Sequence, residues 1–456
     1  MEVAGKKVLM MGAGVSGVAA AQFLAKRGAR VAINDRKPME AWTPEALRLK
    51  EQGVGLLAGD VPSWLLDQIE LVVLSPGVPA TSIPVRYAER AGAEVIGEIE
   101  LAFRFLPGSL VGVTGSNGKT TTTTLIGEML RDAGIHTQVG GNIGTPLVSL
   151  VESARDDGWT VAELSSFQLE TIRRFRPLVA VVLNITPDHM DRYESVTDYA
   201  AAKHRIFRNQ TAEDLAVLNA DDEIVSSWAG ALCAHVVFFS VRRELDEGLF
   251  LRGREIISRT RQCERVLLTR DEIKLPGLHN VENVLAALAA GLACGASPDT
   301  MRETIKRFHG VEHRLERVAE TGGVVFYNDS KATNVDATVK AIEAFDDAAG
   351  QIVLILGGQG KGAPYTPLAP LIQAGVRSLV LIGEDADQIE KELRDAAPIE
   401  RARDMQEAVE RAFAAAAPGD VVLLAPACAS FDMFDNYEQR GRVFKEAVLE
   451  RMKAEG

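Results

Sequence analysis

Short apolar runs alternate with longer amphipathic segments along most of the chain. The runs are rich in Val, Ile and Leu, and their apolar side chains occupy consecutive rather than alternate positions. Runs of this kind are typical of strands that are buried on both faces in a parallel sheet. We therefore predict strands at residues 8–11, 31–34, 71–74, 94–96, 110–113, 161–164, 179–183, 215–218, 324–327, 352–356, 379–382 and 421–424.

Helical periodicity fills the intervals between these strands. The clearest examples are residues 18–27, 85–90, 122–133, 281–291 and 405–416. Strands that alternate with helices favour doubly wound sheets with helices on both faces. In such sheets ligands collect at the carboxyl ends of the strands, which is where the polar and glycine-rich clusters of this chain lie.

Two breaks divide the pattern into three blocks. The first contains Pro107 and Gly108, and the second lies near residues 308–310. The fold class is therefore α/β, with three consecutive domains that are each built on a mainly parallel sheet, at residues 1–107, 108–310 and 311–456. The charged stretch 240–276 predicts either a small antiparallel addition or a variable excursion.

Composition and charge narrow the functional classes. The 456 residues are 46% hydrophobic and 25% charged, as in an ordinary globular protein. The net charge of −13 argues against a general nucleic-acid or anionic-membrane binder. The cysteines form no C-x-x-C pair, so we expect a reducing compartment and a buried side chain for each. They are Cys233, Cys263, Cys294 and Cys428.

The N-terminal apolar stretch has two interpretations. Lys6 and Lys7 precede it, as basic residues do in a signal peptide, but Gly12, Gly14 and Gly17 interrupt it. A strand, a tight turn and a helix account for this spacing, so we expect no secretion signal. No stretch approaches the roughly 18 uninterrupted apolar residues of a membrane span. We therefore expect a cytoplasmic protein.

The most specific local pattern is a glycine-rich loop between a buried strand and a helix. It reads Gly115-Ser116-Asn117-Gly118-Lys119-Thr120-Thr121. The backbone amides of such a loop wrap phosphate groups, and the helix N-terminus adds positive potential. Lys119 would neutralise β- and γ-phosphate oxygens, and the Thr120 hydroxyl would bind Mg²⁺. Val113 replaces the first glycine of the strict pattern, which leaves an ordinary turn as the alternative.

Acidic and imidazole side chains follow two further strands of the second block. Glu163 lies at a predicted strand end, where a carboxylate is costly unless a cation pairs with it. Mg²⁺ prefers such oxygen ligands, so we predict that Glu163 binds metal. Asp188 and His189 occupy the turn after the next strand, with a purely structural turn as the alternative.

The first block contains a possible dinucleotide fingerprint. Gly12, Gly14 and Gly17 follow a predicted strand, and Asp35 ends the next one. This spacing is compatible with an NAD(P)-dependent oxidoreductase that carries an extra nucleotide domain. The residues alone leave that alternative open.

Taken together, several segments resemble the Mur ligase family, the ATP-dependent ligases that build the peptidoglycan stem peptide. The resemblance lies in residues 115–120, Glu163, residues 184–191 and His313-Arg314-Leu315-Glu316. Folylpolyglutamate synthases share much of this central pattern, so it indicates the reaction class better than the substrate. Residues 140–144, 328–334, 357–361, 426–432 and 436–441 resemble the members that add D-glutamate.

The resemblance implies a fold, substrates and a mechanism. The expected domains are a Rossmann-like N-terminal domain, a central P-loop domain and a Rossmann-like C-terminal domain. ATP would activate the carboxylate of UDP-N-acetylmuramoyl-L-alanine as an acyl phosphate, which D-glutamate then attacks. The expected cofactor is Mg²⁺, as two ions, and the expected state is a monomer without nucleic-acid or membrane partners.

The resemblance also implies residue roles. Lys119, His189 and Lys203 would be catalytic, and the metal ligands would be Thr120, Glu163, His189 and Lys203, the last as a carbamate formed with CO₂. ATP would contact Gly115, Ser116, Asn117, Gly118, Lys119, Thr120, Thr121, Asn280, Asn283, Arg314, Asp329 and Lys331. From the residues alone, Lys203 would be a solvated helix lysine, and Asn280 and Asn283 would cap a helix.

The resemblance also implies two sets of substrate-binding residues. The UDP substrate would contact Gly14, Val15, Ser16, Asp35, Arg36, Ser75, Gly77 and Asn142. D-Glutamate would contact Thr333, Lys361, Ser430, Phe431 and Tyr437, the last at a position where the family often has Phe. Alternatives within this class are sister ligases that add L-alanine, a diamino acid or a dipeptide. A non-catalytic nucleotide-binding protein is disfavoured because Lys119, Glu163, His189 and Lys203 are all present.

Overall fold

The chain forms three separate β-sheets, which belong to two compact structural units. The computed structural model describes residues 1–189, 192–345, 350–360 and 362–455. Unit 1 comprises Met1–Arg270 and Glu282–Ile305 and contains the first two sheets; unit 2 comprises Asp271–Val281 and Lys306–Gly456 and contains the third. The predicted fold class is thereby confirmed. Within the described part of the chain, no helix is long and apolar enough to cross a membrane.

The first sheet is entirely parallel and has five strands in the order β3-β2-β1-β4-β5. The strands are β1 (Lys7–Met11), β2 (Arg30–Asp35), β3 (Gly55–Ala58), β4 (Leu71–Leu74) and β5 (Glu94–Gly97). The helices are α1 (Val15–Lys26), α2 (Pro44–Arg48), α3 (Ser63–Leu66), α4 (Ile83–Arg90) and α5 (Glu98–Phe103). The chain adds strands on one side of β1 and then, from β4 onwards, on its other side. A crevice is therefore expected outside the carboxyl ends of β1 and β4.

The second sheet has nine strands in the order β14-β13-β12-β11-β10-β9-β6-β8-β7. They are β6 (Ser109–Thr114), β7 (Thr137–Gly141), β8 (Trp159–Glu163), β9 (Val179–Val182), β10 (Leu215–Asn219), β11 (His235–Ser240), β12 (Gly248–Arg252), β13 (Glu255–Arg259) and β14 (Glu264–Thr269). Pairing is parallel from β7 to β12 and antiparallel from β12 to β14. The antiparallel interpretation of residues 240–276 is thus correct.

Six helices accompany the second sheet along the chain. They are α6 (Lys119–Asp132), α7 (Ser166–Leu169), α8 (Val196–His204), α9 (Glu223–Ser227), α10 (Leu278–Ala293) and α11 (Pro298–Arg307). Helix α6 begins three residues before its predicted start, and so does α1. In α6 the reason is Gly118, whose left-handed φ of 82° ends the preceding loop and lets Lys119 begin the helix.

The third sheet has six strands in the order β15-β16-β20-β17-β18-β19. They are β15 (Glu316–Thr321), β16 (Val324–Asn328), β17 (Ile352–Gly357), β18 (Val376–Ile382), β19 (Ile399–Arg401) and β20 (Val421–Leu424). The helices are α12 (Val335–Glu343), α13 (Ala369–Gly375), α14 (Ala386–Leu393), α15 (Met405–Ala415) and α16 (Tyr437–Glu455). Only the β15–β16 pair is antiparallel, so the sheet is mainly parallel as predicted.

The structure corrects one expectation about the cysteines. Cys294 and Cys428 are buried, as predicted, but Cys233 and Cys263 are exposed. Cys263 lies in the turn between β13 and β14, where its carbonyl accepts a hydrogen bond from the backbone N–H of Thr260 at 2.8 Å. Cys233 lies just before β11. The residues around Cys263 are exposed as well, so this turn has no surrounding core in which the thiol could be buried.

Two buried acids of helix α5 hold the first two sheets together. Glu98 is 1% exposed and accepts a hydrogen bond from the backbone N–H of Val148 at 2.7 Å. Glu100 is fully buried and accepts hydrogen bonds from the backbone N–H groups of Arg173, Arg174 and Phe175. Both acids follow β5 of the first sheet, whereas their backbone partners lie in segments that connect strands of the second sheet. The seam between the two sheets is therefore hydrogen-bonded and closely packed.

Replacing Glu98 tests how this buried acid affects stability. Burial raises the pKa of Glu98 to about 7, against about 4.3 for an ordinary Glu. Between these two values the unfolded chain releases a proton that the folded chain retains, so the free energy of unfolding falls as pH rises, by roughly 4 kcal/mol in all. Glu98→Gln removes this dependence. We expect its melting temperature, relative to the parent, to be higher at pH of about 8 than at about 5.

The matched control for this prediction is Glu51→Gln, because Glu51 lies exposed in unit 1. Its melting temperature relative to the parent should be the same at both pH values. A Glu98→Gln variant with an equal difference from the parent at both pH values would contradict the raised pKa.

Candidate active site

A cavity of about 480 Å³ opens at the carboxyl end of the first sheet, beside β1 and β4. It lies at the switch point where the topology predicts a ligand crevice. Its lining includes all but one of the residues predicted for the UDP substrate: Gly14, Val15, Ser16, Asp35, Arg36, Ser75 and Gly77. The exception is Asn142, which lies at the second sheet.

The β1–α1 turn beside this cavity is shaped by close packing. A Cβ atom on Gly17 would lie 1.8 Å from the carbonyl oxygen of Gly12, whereas a Cβ atom on Gly14 would meet nothing within 4 Å. Asp35 accepts hydrogen bonds from the backbone N–H groups of Ala13 at 2.9 Å and Lys37 at 3.0 Å. Both carboxylate oxygens of Asp35 thus accept hydrogen bonds from backbone groups, and the side chain forms part of the cavity wall.

The glycine-rich loop follows β6 and folds back on itself. The Lys119 ammonium donates to the carbonyl oxygens of Gly115 at 2.9 Å and Ser116 at 2.7 Å. The segment after β9 supports the loop from outside, since Asn184 Oδ1 accepts from the Asn117 backbone N–H and the Ser116 hydroxyl donates to the Thr186 carbonyl. The loop is therefore fixed in shape, with Lys119 at the start of α6.

Glu163 lies beside the loop as a buried carboxylate with neutral partners. It is 2% exposed, and it accepts hydrogen bonds from the Thr120 hydroxyl at 2.8 Å and from the Asn142 side-chain amide at 2.9 Å. Among the described residues it forms no ion pair, and no three His, Cys, Asp or Glu side chains converge to hold a metal. A buried carboxylate next to a hydroxyl fits one hard divalent cation that is completed by other oxygen ligands.

Lys203 is buried, contrary to the solvated helix lysine expected from its residues alone. It lies in α8, is 1% exposed, and donates to the Gly115 carbonyl at 2.8 Å and the Thr114 hydroxyl at 3.4 Å. The Gly115 carbonyl therefore accepts hydrogen bonds from both Lys119 and Lys203. Burial, and then the charge of Lys119, lower the pKa of Lys203 to about 6. Its ammonium therefore loses a proton much more readily than that of an exposed lysine.

His189 lies near this group in a left-handed backbone conformation with φ of 56°. Its side chain is exposed, its Nε2 lies 3.7 Å from Asp188 Oδ2, and its ring centroid lies 4.8 Å from that of Phe167. Met190 and Asp191, which complete the segment, lie outside the described residues. The imidazole is thus accessible to a ligand beside the second sheet.

Two side chains that the sequence did not reveal also belong to this region. The Tyr199 ring is 1% exposed, its centroid lies 4.7 Å from Lys203 Nζ, and its hydroxyl lies 3.3 Å from Ser116 Oγ. The Arg192 guanidinium lies 3.9 Å from the Phe167 ring centroid and donates to the Pro76 carbonyl in the cavity wall. Neither residue belongs to a recognisable pattern, so no sequence signal could have found them.

The two asparagines of helix α10 lie inside the helix rather than at its N-cap. Asn283, in unit 1, accepts a hydrogen bond from the Thr122 hydroxyl at 3.3 Å, and its Oδ1 would lie 2.1 Å from a Cβ atom on Gly118. Asn283 therefore packs directly against the glycine-rich loop. Asn280, in unit 2, donates to the Pro276 carbonyl at 2.8 Å.

In unit 2, predicted residues that the structure describes follow the carboxyl ends of β16 and β20. Asp329 follows β16, and burial raises the pKa of its carboxyl to about 7 despite nearby cations. The Arg314 Nε is buried without a hydrogen-bond partner among the described residues. Thr333 donates its backbone N–H to the Lys331 carbonyl in a tight turn. An enclosed acid and a buried guanidinium nitrogen without a hydrogen-bond partner mark this edge as a candidate binding site.

The predicted acceptor residues lie on the same edge. Ser430 is buried, Phe431 is 69% exposed, and Tyr437 begins helix α16 with its ring centroid 5.4 Å from Lys331 Nζ. The Tyr437 carbonyl accepts a hydrogen bond from the Ser330 hydroxyl at 2.8 Å. Lys361 lies outside the described residues, so its predicted role stays a prediction.

The glycine-rich loop has a buried carboxylate and a buried lysine beside it, and the chain contains three α/β sheets. These features fit a nucleotide-dependent ligase of the Mur type. The chain belongs to the Mur ligase family. Three family models match it: the Mur ligase MurD-like N-terminal domain at residues 6–97, the Mur ligase middle domain at 113–291, and the Mur ligase glutamate ligase domain at 313–428. The members of this family are ATP-dependent ligases, so the oxidoreductase interpretation is wrong.

Among curated relatives, the chain is similar to two proteins named UDP-N-acetylmuramoylalanine–D-glutamate ligase. The one from Acidobacterium capsulatum is 50% identical over 451 residues, which cover 98% of this chain and 97% of the relative. The one from Koribacter versatilis is 47% identical over 455 residues, which cover 100% of both. The structure of UDP-N-acetylmuramate-alanine ligase MurC from Thermotoga maritima shares the fold, with a TM-score of 0.57 at 20% identity over 99% of this chain and 100% of the other.

Proposed function

We propose that this chain is an ATP-dependent ligase that forms an amide between UDP-N-acetylmuramoyl-L-alanine and D-glutamate through an acyl phosphate. The names of relatives that match nearly the whole chain support the substrates. The structural observation that carries the chemistry is the grouping of Lys119, Lys203 and Glu163 around the Gly115 turn. We place the reaction in cytoplasmic peptidoglycan precursor synthesis and expect a monomer without nucleic-acid or membrane partners.

Each of the three predicted domains binds a different substrate in this proposal. Residues 1–107 bind the UDP substrate, residues 108–310 bind ATP and Mg²⁺, and residues 311–456 bind the amino acid. The nucleotide contacts are Gly115, Ser116, Asn117, Gly118, Lys119, Thr120 and Thr121 of the loop, together with Asn280, Asn283, Arg314, Asp329 and Lys331. The unsatisfied Nε of Arg314 supports its assignment to an anionic ligand.

In the first step, a carboxylate oxygen of the UDP substrate attacks the γ-phosphorus of ATP. A new oxygen–phosphorus bond forms, the bond to the β–γ bridging oxygen breaks, and ADP leaves with the electron pair. Two anions meet in this step, so electrostatic stabilisation is the main requirement. Lys119 meets it from a position that its two carbonyl contacts hold at the start of α6.

The metal ligands in this proposal are Thr120, Glu163, His189 and Lys203. Bound Mg²⁺ would withdraw charge from the phosphate oxygens and position them. The buried Glu163 carboxylate, paired only with neutral groups, fits such an ion. Asn142 holds the same carboxylate in place, in addition to its proposed contact with the UDP substrate.

Lys203 is proposed to carry a carbamate. Its neutral Nζ adds to the carbon of CO₂, a nitrogen–carbon bond forms, and one proton leaves the nitrogen, giving a carboxylate-like anion. Enclosure beside the Gly115 carbonyl and the Lys119 ammonium disfavours a second ammonium, which supports this modification. An anion at this position can bind metal, whereas an ammonium cannot.

In the second step, the amine of D-glutamate attacks the acyl carbon and phosphate leaves. The nitrogen–carbon bond forms through a tetrahedral intermediate, and the protons of the ammonium group pass to solvent. The proposed contacts of the amino acid are Thr333, Lys361, Ser430, Phe431 and Tyr437. The exposure of Phe431 beside the buried Ser430 supports an aromatic wall that is open to a ligand.

Acceptor specificity tests the whole proposal. Phosphate release from ATP is measured with UDP-N-acetylmuramoyl-L-alanine and, in turn, D-glutamate, L-glutamate or meso-diaminopimelate. We expect D-glutamate alone to give sustained release, with an amide product that contains the amino acid. Sustained release with meso-diaminopimelate but not with D-glutamate would assign the chain to a sister ligase.

Substitutions at two glycines of the β1–α1 turn distinguish an effect on UDP binding from an effect on folding. Gly14→Ala adds a methyl group in open space in the cavity lining, and Gly17→Ala places one against the Gly12 carbonyl. UDP should raise the melting temperature of the parent, and NAD⁺ should not. We expect Gly14→Ala to keep the parental melting temperature without ligand but to lose much of the UDP shift. Gly17→Ala should lose stability itself, by about 1–3 kcal/mol.

A shift with NAD⁺ instead of UDP would reject the assignment of this cavity. An equal loss of ligand-free stability in the two variants would reject the packing argument.

A further inference from the structure

Arg440 is a fully buried charged residue of unit 2 that none of the roles above uses. It lies in helix α16 and is 0% exposed. Among the fully buried side chains of the described residues, it is the largest. Burial lowers the pKa of Arg440 to about 10, so the guanidinium is still cationic at neutral pH. A buried cation of this kind is costly unless other groups compensate for it.

The guanidinium is held by four hydrogen bonds to the ends of two strands. Arg440 Nε donates to the Ser330 hydroxyl at 3.0 Å and Nη2 to the Ser330 carbonyl at 2.8 Å, both just after β16. Nη1 donates to the carbonyl oxygens of Cys428 at 3.1 Å and Ala429 at 3.2 Å, after β20. A Cβ atom on Gly358 would lie 3.2 Å from Nη1, so the turn after β17 also touches Arg440.

Two of these turns bear proposed acceptor contacts that the structure describes. The turn after β16 leads to Thr333, and the turn after β20 leads to Ser430 and Phe431. Arg440 is hydrogen-bonded to both turns. Movement of this one side chain would therefore change the position of these contacts relative to each other.

Arg440 has no direct counter-ion among the described residues. It forms no ion pair there, and every one of its hydrogen bonds goes to a carbonyl or a hydroxyl oxygen. Asp432 contributes a more distant negative charge, while one of its own oxygens accepts the backbone N–H of Glu384. Carbonyl dipoles solvate the cation but leave its net charge, so Arg440 adds a fixed positive contribution to the potential at the acceptor site, which the charge of Asp432 partly offsets.

We propose that Arg440 is a specificity-determining and positioning residue which makes the acceptor site select an acidic amino acid over its neutral isostere. D-Glutamate brings two carboxylates, and a fixed positive charge behind the site lowers the free energy of the anion but not that of the corresponding amide. This inference rests on the proposed function, since it concerns the same acceptor site. A purely structural side chain would affect acidic and neutral acceptors alike.

The test compares D-glutamate with D-glutamine in the parent, Arg440→Gln and Arg440→Lys. We expect the parent to prefer D-glutamate in kcat/KM, and Arg440→Gln to lose about tenfold or more of that preference through a raised KM for D-glutamate. Arg440→Lys keeps the charge but not the planar fork. It should keep the preference within about threefold while kcat falls, because the turns are held less firmly.

Arg440→Lys alone is sufficient to reject the proposal if Arg440→Gln does not fold. A loss of the preference in Arg440→Lys, or an equal loss of kcat/KM for both amino acids in Arg440→Gln, overturns the role in selectivity. KM for the UDP substrate should be unchanged in both variants.

The first half-reaction distinguishes this failure from failure of the proposed function. Without an acceptor, the parent and both variants should scramble ¹⁸O between the bridging and non-bridging β–γ positions of ATP when the UDP substrate is present. Absence of scrambling and of D-glutamate-dependent phosphate release in the parent would reject the proposed function itself. Scrambling in the parent with unchanged acceptor preference in Arg440→Gln would reject only the role of Arg440.

Discussion

Lys119→Met is expected to lower kcat for phosphate release by about 10³-fold or more. Its ammonium is the cation at the start of α6 nearest to where the glycine-rich loop would hold the transferred phosphoryl group. Methionine keeps the length of the side chain and removes the charge, so loop packing should survive. The loss should therefore appear in the chemical step, measured as phosphate release with saturating substrates.

Binding of UDP gives the internal check for this variant. The UDP cavity lies at the first sheet, and the Lys119 side chain is absent from its lining, so the UDP-induced rise in melting temperature should equal that of the parent. Lys50→Met, at an exposed position of unit 1, should leave both measurements unchanged. Near-parental phosphate release by Lys119→Met would place the phosphoryl chemistry elsewhere.

Lys203→Ala should lose activity by a similar factor, about 10³-fold, and regain part of it when short carboxylic acids are added. The substitution removes the buried amine and leaves a cavity beside the Gly115 carbonyl and the Thr114 hydroxyl. Acetate or propionate can enter this cavity and supply the anionic oxygen that the carbamate would have supplied. The measurement is the rate of phosphate release as a function of carboxylate concentration.

Two comparisons make this prediction specific to a carbamate. Lys203→Arg fills the cavity with a permanent cation, so carboxylates should not restore its activity. The parent should lose activity in buffer freed of CO₂ and regain it when bicarbonate is added. Restoration of Lys203→Ala by methylamine instead of acetate would indicate that the lysine acts as an amine, and unchanged activity would exclude it from the site.

The fold was largely predictable because its strands are buried on both faces. Each of the twelve apolar runs coincides with a strand of the structure. Outside residues 240–276, the pattern missed β3, β7, β11, β15 and β19, and all of these except β11 lie at the edges of their sheets. β19 is only three residues long and mostly exposed, so its sequence carries little apolar signal. Edge strands are the elements for which side-chain burial provides the weakest information.

The site was predictable only where a local pattern repeats a known chemistry. The glycine-rich loop has such a pattern, but the burial of Lys203 does not, because it depends on how α8 packs against β6. Four non-glycine residues of the described chain have left-handed φ values, namely His189, His313, Leu315 and Ala427. All four follow strand ends or flank candidate contacts, and no propensity predicts strain at such residue types. Tertiary packing imposes these conformations.

The acids of α5 have a consequence for the length of substrate that unit 1 can accept. Glu98 and Glu100 fasten the first sheet to the second, and at Gly97 even one added carbon would lie 2.2 Å from the Thr171 hydroxyl oxygen. This seam opposes sliding of one sheet past the other, so in the proposed complex the span from the uridine end of the substrate to the glycine-rich loop would be nearly constant. One amino acid more or less would displace the terminal carboxylate by about 3.5 Å, beyond the reach of a bond-forming encounter. Attachment of the two sheets would thus favour a substrate with a stem of one residue over longer or shorter ones.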